Sequence, residues 1–434
     1  MHYSPVVDTV PTPTPLDPLS LIAFVALFVA GVVLTRRRPS YGVAALLFSV
    51  PFAGYRDVLG TAITAPKIVL LATIIGLLGH RDALRIVRER SCAMLIASLG
   101  IVVVATGLTF LGASHHAPVV RETLEWIEYL ALVVAAYTGY RLDRYDALYV
   151  HAVALSTGIV CLSALAQETV GAPSGLWFNN QIIPRIAGAL EGPNQLAGYL
   201  EVQIALLAVW NIARPQRAIG CVLAAAGATS LLTFSRGGLI GCALAVCVIA
   251  VASRPQMNRL RGLAPLVGGW VVGGGVAAFW AFAVHSFAVF RATLVTSSYA
   301  GGVGNRADLW RVAWYFFRTH PLLGIGAGNY ELELANAGLV GIRTHANSWY
   351  LQSLAEGGIV LFAAILTFLT TTFTMLARIA RSSPWALGAL AATTALTAHQ
   401  IVDLLVFYPK VGAPWMLAIA LGVAASVPSK PCAD

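Results

Sequence analysis

Arg343-Thr344-His345-Ala346-Asn347-Ser348-Trp349-Tyr350 closes the longest polar interruption of an otherwise apolar chain, and a hydrophobic run then continues to Leu376. Reading this junction decides the fold. A bilayer span takes about 20 apolar residues, so the run after Ser348 is a helix entering a membrane. A histidine, an amide and an arginine therefore sit where that helix leaves water.

Outward from the junction, the chain divides into apolar blocks separated by short charged links. The blocks are 19–34, 41–54, 66–79, 91–111, 122–140, 147–166, 195–213, 217–233, 236–252, 263–284, 348–377, 385–402 and 412–428. Of the 434 residues, 58% are hydrophobic and 11% charged, against about 25% charged in a soluble domain. The fold class is an all-α polytopic membrane protein with about 12 to 13 crossings. Blocks 41–54 and 66–79 are short, and Pro51 suits a broken helix. The organisation read from this is an N-terminal flank (1–18), helices with an outer loop at 167–194 (19–283), a large outer loop containing short helices (284–347), C-terminal helices (348–428) and a tail (429–434). The flank is Pro-rich and lacks a basic n-region, so it does not read as a cleavable leader.

The net charge is +9. Placing Arg36-Arg37-Arg38 in the cytoplasm puts 17 of the 28 Lys and Arg on that side, the bias expected of inner-membrane proteins. The same assignment puts the large loop in the periplasm. No basic run is long enough for nucleic acid. Five of the six cysteines lie in apolar blocks and read as packing residues, with no disulfide framework. No spacing of a metal site is present. A transporter would place ionisable groups in mid-span and show inverted repeats; few such groups and no repeat are seen.

Topology does not require arginines outside, yet the large loop holds Arg291, Arg306, Arg311, Arg318 and Arg343. Arg185, Arg291 and Arg306 suit a pyrophosphate, because a guanidinium donates paired hydrogen bonds to phosphate oxygens. Headgroup contact or pairing with Glu191, Glu331 or Glu333 is the plainer reading. Arg185 and Asn194 precede the outward N-terminus of helix 195–213, where an anion is favoured. His345 is the histidine set in a polar cluster at a helix start, where the dipole lowers an imidazole pKa and suits a base; capping or lining the interface is the alternative. His151 and His399 fall within spans. Arg236, with Gly237 and Gly241, reads as small-residue helix packing. Glu122, Glu125, Glu191 and Glu201 are outer carboxylates available as bases or partners. In the large loop, Asn305 and Asp308 mark a helix start and Trp310, Trp314 and Phe317 an apolar stripe. A flexible turn follows at 324–329, then a short helix at 330–337 stopped by Gly338.

Three pieces in this order resemble the O-antigen ligase family, whose domain is shared with exopolysaccharide polymerases and protein O-oligosaccharyltransferases. They are Arg185 and Gly188 leading to Gly192-Pro193-Asn194; Gly304-Asn305-Arg306-Ala307-Asp308-Leu309-Trp310 running to Pro321-Leu322-Leu323-Gly324-Ile325-Gly326-Ala327-Gly328; and His345-Ala346-Asn347 running to Glu356-Gly357-Gly358. The resemblance implies a GT-C-like glycosyltransferase architecture in the bacterial inner membrane. It implies an undecaprenyl-pyrophosphate-linked glycan as donor and a lipid A–core hydroxyl as acceptor, with no cofactor or metal. His345 would be catalytic. Arg185, Arg291, Arg306, Asn194 and Asn347 would bind substrate. Counting back from Glu356 puts Asn347 near the family's usual histidine and His345 two residues earlier. On a helix that offset turns a side chain by about 200°; on an unwound entry it need not.

Overall fold

The computed structural model describes residues 14–15, 18–52, 56–58, 61–171, 174–178, 181–253, 261–283 and 306–427. Each of the thirteen apolar blocks carries a helix. In order these are α1 (Pro18–Arg37), α2 (Pro39–Ser49), α3 (Ala65–Leu78), α5 (Arg90–Leu108), α6 (His116–Leu142), α7 (Asp146–Val170), α8 (Pro193–Ala213), α9 (Arg217–Leu232), α10 (Arg236–Ala252), α11 (Ala264–Ala283), α14 (Trp349–Ile379), α15 (Pro384–His399) and α16 (Pro409–Ala424). The links add α4 (Ala83–Val87), α12 (Arg306–Thr319) and α13 (Tyr330–Glu333). Two small ribbons depart from the all-α expectation. Strand β1 (Thr14–Pro15) lies parallel to β2 (Arg56–Val58), which pairs antiparallel with β3 (Thr61–Ile63). A hairpin of β4 (Ser174–Phe178) and β5 (Gln181–Arg185) sets Ser174 opposite Arg185.

Among the described residues, six helices are long and apolar enough to cross a membrane: Pro18–Arg37, Arg90–Leu111, Asp146–Val170, Pro193–Ala213, Arg261–Phe279 and Trp349–Ile379. Others are shorter. Helix α2 has 11 residues and passes into a 3-10 turn at Val50–Phe52, where Pro51 removes a donor. The 14 residues of α3 span about 21 Å, less than the roughly 30 Å of a hydrocarbon core.

The helix ends sort into two groups. At one end, His80 Nε2 meets Thr35 O (3.3 Å), Ser40 Oγ donates to Asp143 (2.6 Å), and Arg141 bonds both Glu89 (3.1 Å) and Val427 O (2.8 Å). Trp385 Nε1 donates there to Asp146 (3.0 Å), and its ring lies 5.4 Å from that of Trp210 near the C-terminus of α8. This end gathers links that the charge count assigns to one side. The opposite end gathers 112–118, 167–171, 181–192, 233–235, 320–348 and 400–408, and this is where the candidate site lies.

Helix α14 is interrupted, which corrects the expectation of a continuous span over 348–377. Gly358 has φ 57° and ψ −157° inside it. In an unbroken helix, Ile359 N–H would donate to Ala355 O and Val360 N–H to Glu356 O. Here Ile359 N donates to Pro321 O (2.8 Å) and Val360 N to Leu322 O (3.3 Å). Ala355 O instead accepts from Ile325 N (3.0 Å) and Glu356 O from Gly326 N (2.9 Å). The 321–326 segment is thus inserted into the helix ladder, and four bonds replace two. Side chains at either glycine of the contact would block it: a Cβ on Gly324 meets the Glu356 carbonyl, and one on Gly358 meets the Leu322 carbonyl.

The 324–329 turn is therefore clamped, contrary to the expectation that it is flexible. Ala327 N donates to Thr109 Oγ1 (3.0 Å), and Asn329 exchanges bonds with the His115 backbone (3.0 Å each). The following short helix is α13 plus a 3-10 turn (Ala335–Ala337), closed by Gly338 at φ 88°. Helix α12 buries Leu309, Val312, Ala313 and Phe316, while Trp314 is half exposed. Of the Trp310, Trp314, Phe317 stripe, which suits either the membrane interface or neighbouring helices, Trp314 faces outward and Trp310 and Phe317 are partly buried. Asn305, read as the cap of this helix, lies outside the described residues.

Replacing Gly358 by Ala should lower thermal stability by about 1–3 kcal/mol from backbone strain alone, read as a drop in the unfolding midpoint of detergent-purified protein. Gly100→Ala serves as control, because nothing lies within 4 Å of the added methyl in α5; it should hold or raise the midpoint.

Candidate active site

Residues 342–348 approach α14 without helical structure, so the offset between His345 and Asn347 does not turn the imidazole away. Asn347 takes φ 50°, a left-handed conformation that asparagine tolerates, and its Nδ2 donates to His345 O (3.3 Å). Ser348 caps the helix by accepting from Leu351 N (3.5 Å). Ala346 N donates to Gln352 (2.9 Å), Gln352 Nε2 to Glu356 Oε1 (3.2 Å), and the same carboxyl oxygen accepts Tyr330 N (3.0 Å). The histidine segment is thereby tied to the helix break. Buried Trp349 anchors it from below, against Trp126 (6.4 Å) and Trp415 (6.3 Å).

His345 Nδ1 lies 2.9 Å from Glu331 Oε1, and Nε2 lies 3.4 Å from the Tyr408 hydroxyl. Glu331 therefore fixes a tautomer whose Nδ1 carries the proton and whose Nε2 is free to accept one. Burial alone would push the imidazole pKa down. The hydrogen bond and charge of Glu331, with Asp403 and Glu356 further off, outweigh it and hold the pKa above the usual 6.5. This corrects the expectation of a lowered value: the helix starts four residues on, and the carboxylate dominates. Glu331 is held below the usual carboxylate range by that hydrogen bond, against its burial and with help from His345, Arg121 and Arg343.

The second cluster is built from β5. Gln167 pins the following turn, its Oε1 accepting Ala187 N (2.9 Å) and Gly188 N (3.0 Å). Gly188, at φ 61°, passes close over α7, where a Cβ would lie 3.1 Å from Val160 O. Lys410 closes the turn by donating to Ala189 O (2.8 Å) and pairing with Glu191 (3.1 Å). Arg185 Nε donates to Thr233 O (2.8 Å) and Nη2 to Asn194 Oδ1 (2.9 Å); Asn194 Nδ2 donates to Asp403 Oδ2 (2.7 Å). Asn194 is the second residue of α8 rather than the residue before it. Burial, then the like charges of Arg306 and Arg236, bring the Arg185 pKa down to about 10, with Asp403 opposing. It remains a full cation at neutral pH.

The structure thus gathers Arg185, Asn194 and the charge of Arg306, and adds Arg236. His345 stands on the other side of the 400–408 link, which both clusters touch through Asp403 and Tyr408. Asn347 bonds its own segment. Arg291 lies outside the described residues. The carboxylates offered as plain partners for these arginines pair elsewhere: Glu191 with Lys410, Glu331 with His345, and Glu333 with His115 (3.8 Å). Asp403, Tyr408 and the Glu331 pairing escaped the sequence reading. A lone carboxylate in a short outer link, four residues after His399, was the available signal. Among the described residues no three His, Cys, Asp or Glu side chains are grouped to hold a metal ion.

Residues 220–366 match the family model described as O-antigen ligase. The match runs from α9 to just beyond the break in α14. It takes in Arg236, Arg306, Glu331, His345 and the Glu356-Gly357-Gly358 turn, and leaves Arg185, Asn194 and Asp403 outside. No curated protein matches the chain. Over residues 220–366 the chain is thus similar to the O-antigen ligase family, in keeping with the motifs whose geometry is described above.

Proposed function

We propose that this protein transfers O-antigen polysaccharide from undecaprenyl pyrophosphate to a sugar hydroxyl of lipid A–core, at the periplasmic face of the bacterial inner membrane. The carrying observation is the 400–408 link, on which a guanidinium cluster and a carboxylate-backed imidazole converge. His345 Nε2 accepts the proton of the acceptor hydroxyl, whose oxygen attacks the anomeric carbon. The bond from that carbon to the diphosphate oxygen breaks, and its electron pair leaves on the diphosphate. Arg185 and Arg306 meet the growing negative charge, which preorganised cations stabilise most in a site of low dielectric. Direct attack inverts the anomeric centre. The products are glycosylated lipid A–core and undecaprenyl pyrophosphate. The half-exposed aromatic face of α12 supports a site bordering the headgroups, where a lipid-linked donor enters from the bilayer.

In proteoliposomes containing lipid-linked glycan and lipid A–core, with a chelator present, the wild type should form ligated product. His345→Ala and Arg185→Ala should each lose about 10²-fold or more. Undiminished ligation by His345→Ala removes its assignment as base, and product formed from the donor alone makes the protein a polymerase.

The raised His345 pKa fixes the sign of the pH dependence. A general base works when neutral, so activity falls as pH drops through that pKa. Glu331→Gln removes the charge that raises it. The acid limb of the pH–rate profile should therefore move to lower pH while the maximal rate declines; a limb that stays or rises contradicts the dyad.

A further inference from the structure

Beneath the arginine cluster lies a buried pair that the reaction above does not use. His399, at the end of α15, places Nδ1 2.6 Å from Glu201 Oε1 on α8, and both side chains are enclosed, at 1% and 0% exposure. Its Nε2 faces the opposite way, 3.9 Å from Asp403 Oδ2 and 3.4 Å from Ser235 Oγ. Helix α10 leaves room for the pair. A Cβ on Gly237 would collide with the imidazole, and one on Gly241 with the Glu201 carboxylate. The two glycines thus face functional side chains rather than merely another helix backbone. Glu201 Oε2 is buried with no hydrogen-bond partner. Desolvation offsets most of what such a pair contributes to stability, so stability alone does not explain it.

From Asp403 the contacts run outward. Its Oδ1 accepts Leu404 N (2.8 Å) and its Oδ2 accepts Asn194 Nδ2, whose amide oxygen accepts Arg185 Nη2. We propose that the Glu201–His399 pair is a positioning device: it fixes the Asp403 carboxylate, which through Asn194 aims the Arg185 guanidinium at the diphosphate. This rests on the reading of Arg185 as the diphosphate ligand. Glu201 anchors one ring nitrogen, so the ring edge bearing the other stands fixed 3.9 Å from Asp403 Oδ2 and limits that carboxylate's rotation. Asp403 then holds the Asn194 amide in one sense, with nitrogen inward and oxygen toward the arginine. His399 touches no substrate, because its ring is sealed among α8, α10 and α15.

The test is binding of undecaprenyl pyrophosphate itself to protein in nanodiscs, alongside separate donor and acceptor KM values. His399→Gln and Glu201→Gln should weaken binding about tenfold, the value of one hydrogen bond to a charged group. Donor KM should rise with them and acceptor KM should hold. In an Arg185→Ala background, neither substitution should weaken binding further. Should His399→Gln fail to fold, Glu201→Gln, which keeps the shape of the side chain, carries the measurement. Wild-type affinity in a folded variant, or losses that add to that of Arg185→Ala, overturns the proposal, as does a wild type that does not bind the diphosphate. A wild type that binds it but ligates nothing to lipid A–core overturns the ligase reading and leaves this one standing.

Discussion

Ile359 and Val360 give up their own helix for the carbonyls of Pro321 and Leu322, and much of the site's geometry follows from that exchange. An open N–H or C=O at membrane depth costs several kcal/mol, so a helix breaks there only where something else completes its ladder. The 321–326 segment does so on both sides of the gap. The nine residues from Trp349 to Gly357 are thereby released from the axis of the helix below and can be aimed by other contacts. Those contacts are the stacked tryptophans beneath and the Gln352–Glu356–Tyr330 bonds beside them. The Gly-rich motif and the Glu-Gly-Gly motif, some thirty residues apart in sequence, are two halves of one joint.

Among the described residues at this end of the molecule, His345 and His399 each hold a carboxylate on Nδ1. Exposure separates them. The His345 side chain is 24% exposed and that of His399 1%, and only a ring that meets solvent can meet an incoming hydroxyl. The same contrast divides the charges. Arg185 is partly buried and gives up hydration, for which Thr233 O and Asn194 compensate, while two neighbouring arginines work against it. Like charges held close in a poorly hydrated place are unfavourable without a ligand. In the proposed reaction a diphosphate turns that repulsion, which Asp403 already opposes, into attraction.

Hydrophobic blocks show plainly in the sequence because membrane helices must be apolar along their length, and each of the thirteen blocks carries a helix. Breaks do not show in the same way. The 348–377 run is apolar through Gly358, so periodicity carries no trace of the interruption; only the clash of a Cβ with Leu322 O explains the glycine. The aromatic stripe of α12 stayed open between the membrane interface and neighbouring helices for a related reason, since Trp and Phe at helical spacing suit both. His345, Arg185, Asn194 and Arg306 were legible because they are polar in an apolar chain and sit at predicted outer ends. Asp403 and His399 were not. A histidine inside an apolar block reads as span filling, and the distance between His399 and Glu201, 198 residues apart, exists only after folding. The pKa of His345 depended on the same missing information, because Glu331 reaches it from α13, 14 residues earlier in the chain.

The 400–408 link sets the spacing between the two halves of the site, and it is braced across its own width. Trp349 N donates to both Gln400 O and Asp403 O (3.0 Å each), Val406 N to Gln400 Oε1 (3.0 Å), and Tyr129 Oη to Val406 O (2.6 Å). A link of this length without such bonds would let Asp403 and Tyr408 move independently, and with them the guanidinium and the imidazole. Braced, it transmits one position to both. In the proposed reaction two large lipid-anchored substrates meet at a single anomeric carbon, and alignment lost there is lost from the rate directly. Fixing the partners before either arrives moves that ordering cost from the reaction into folding.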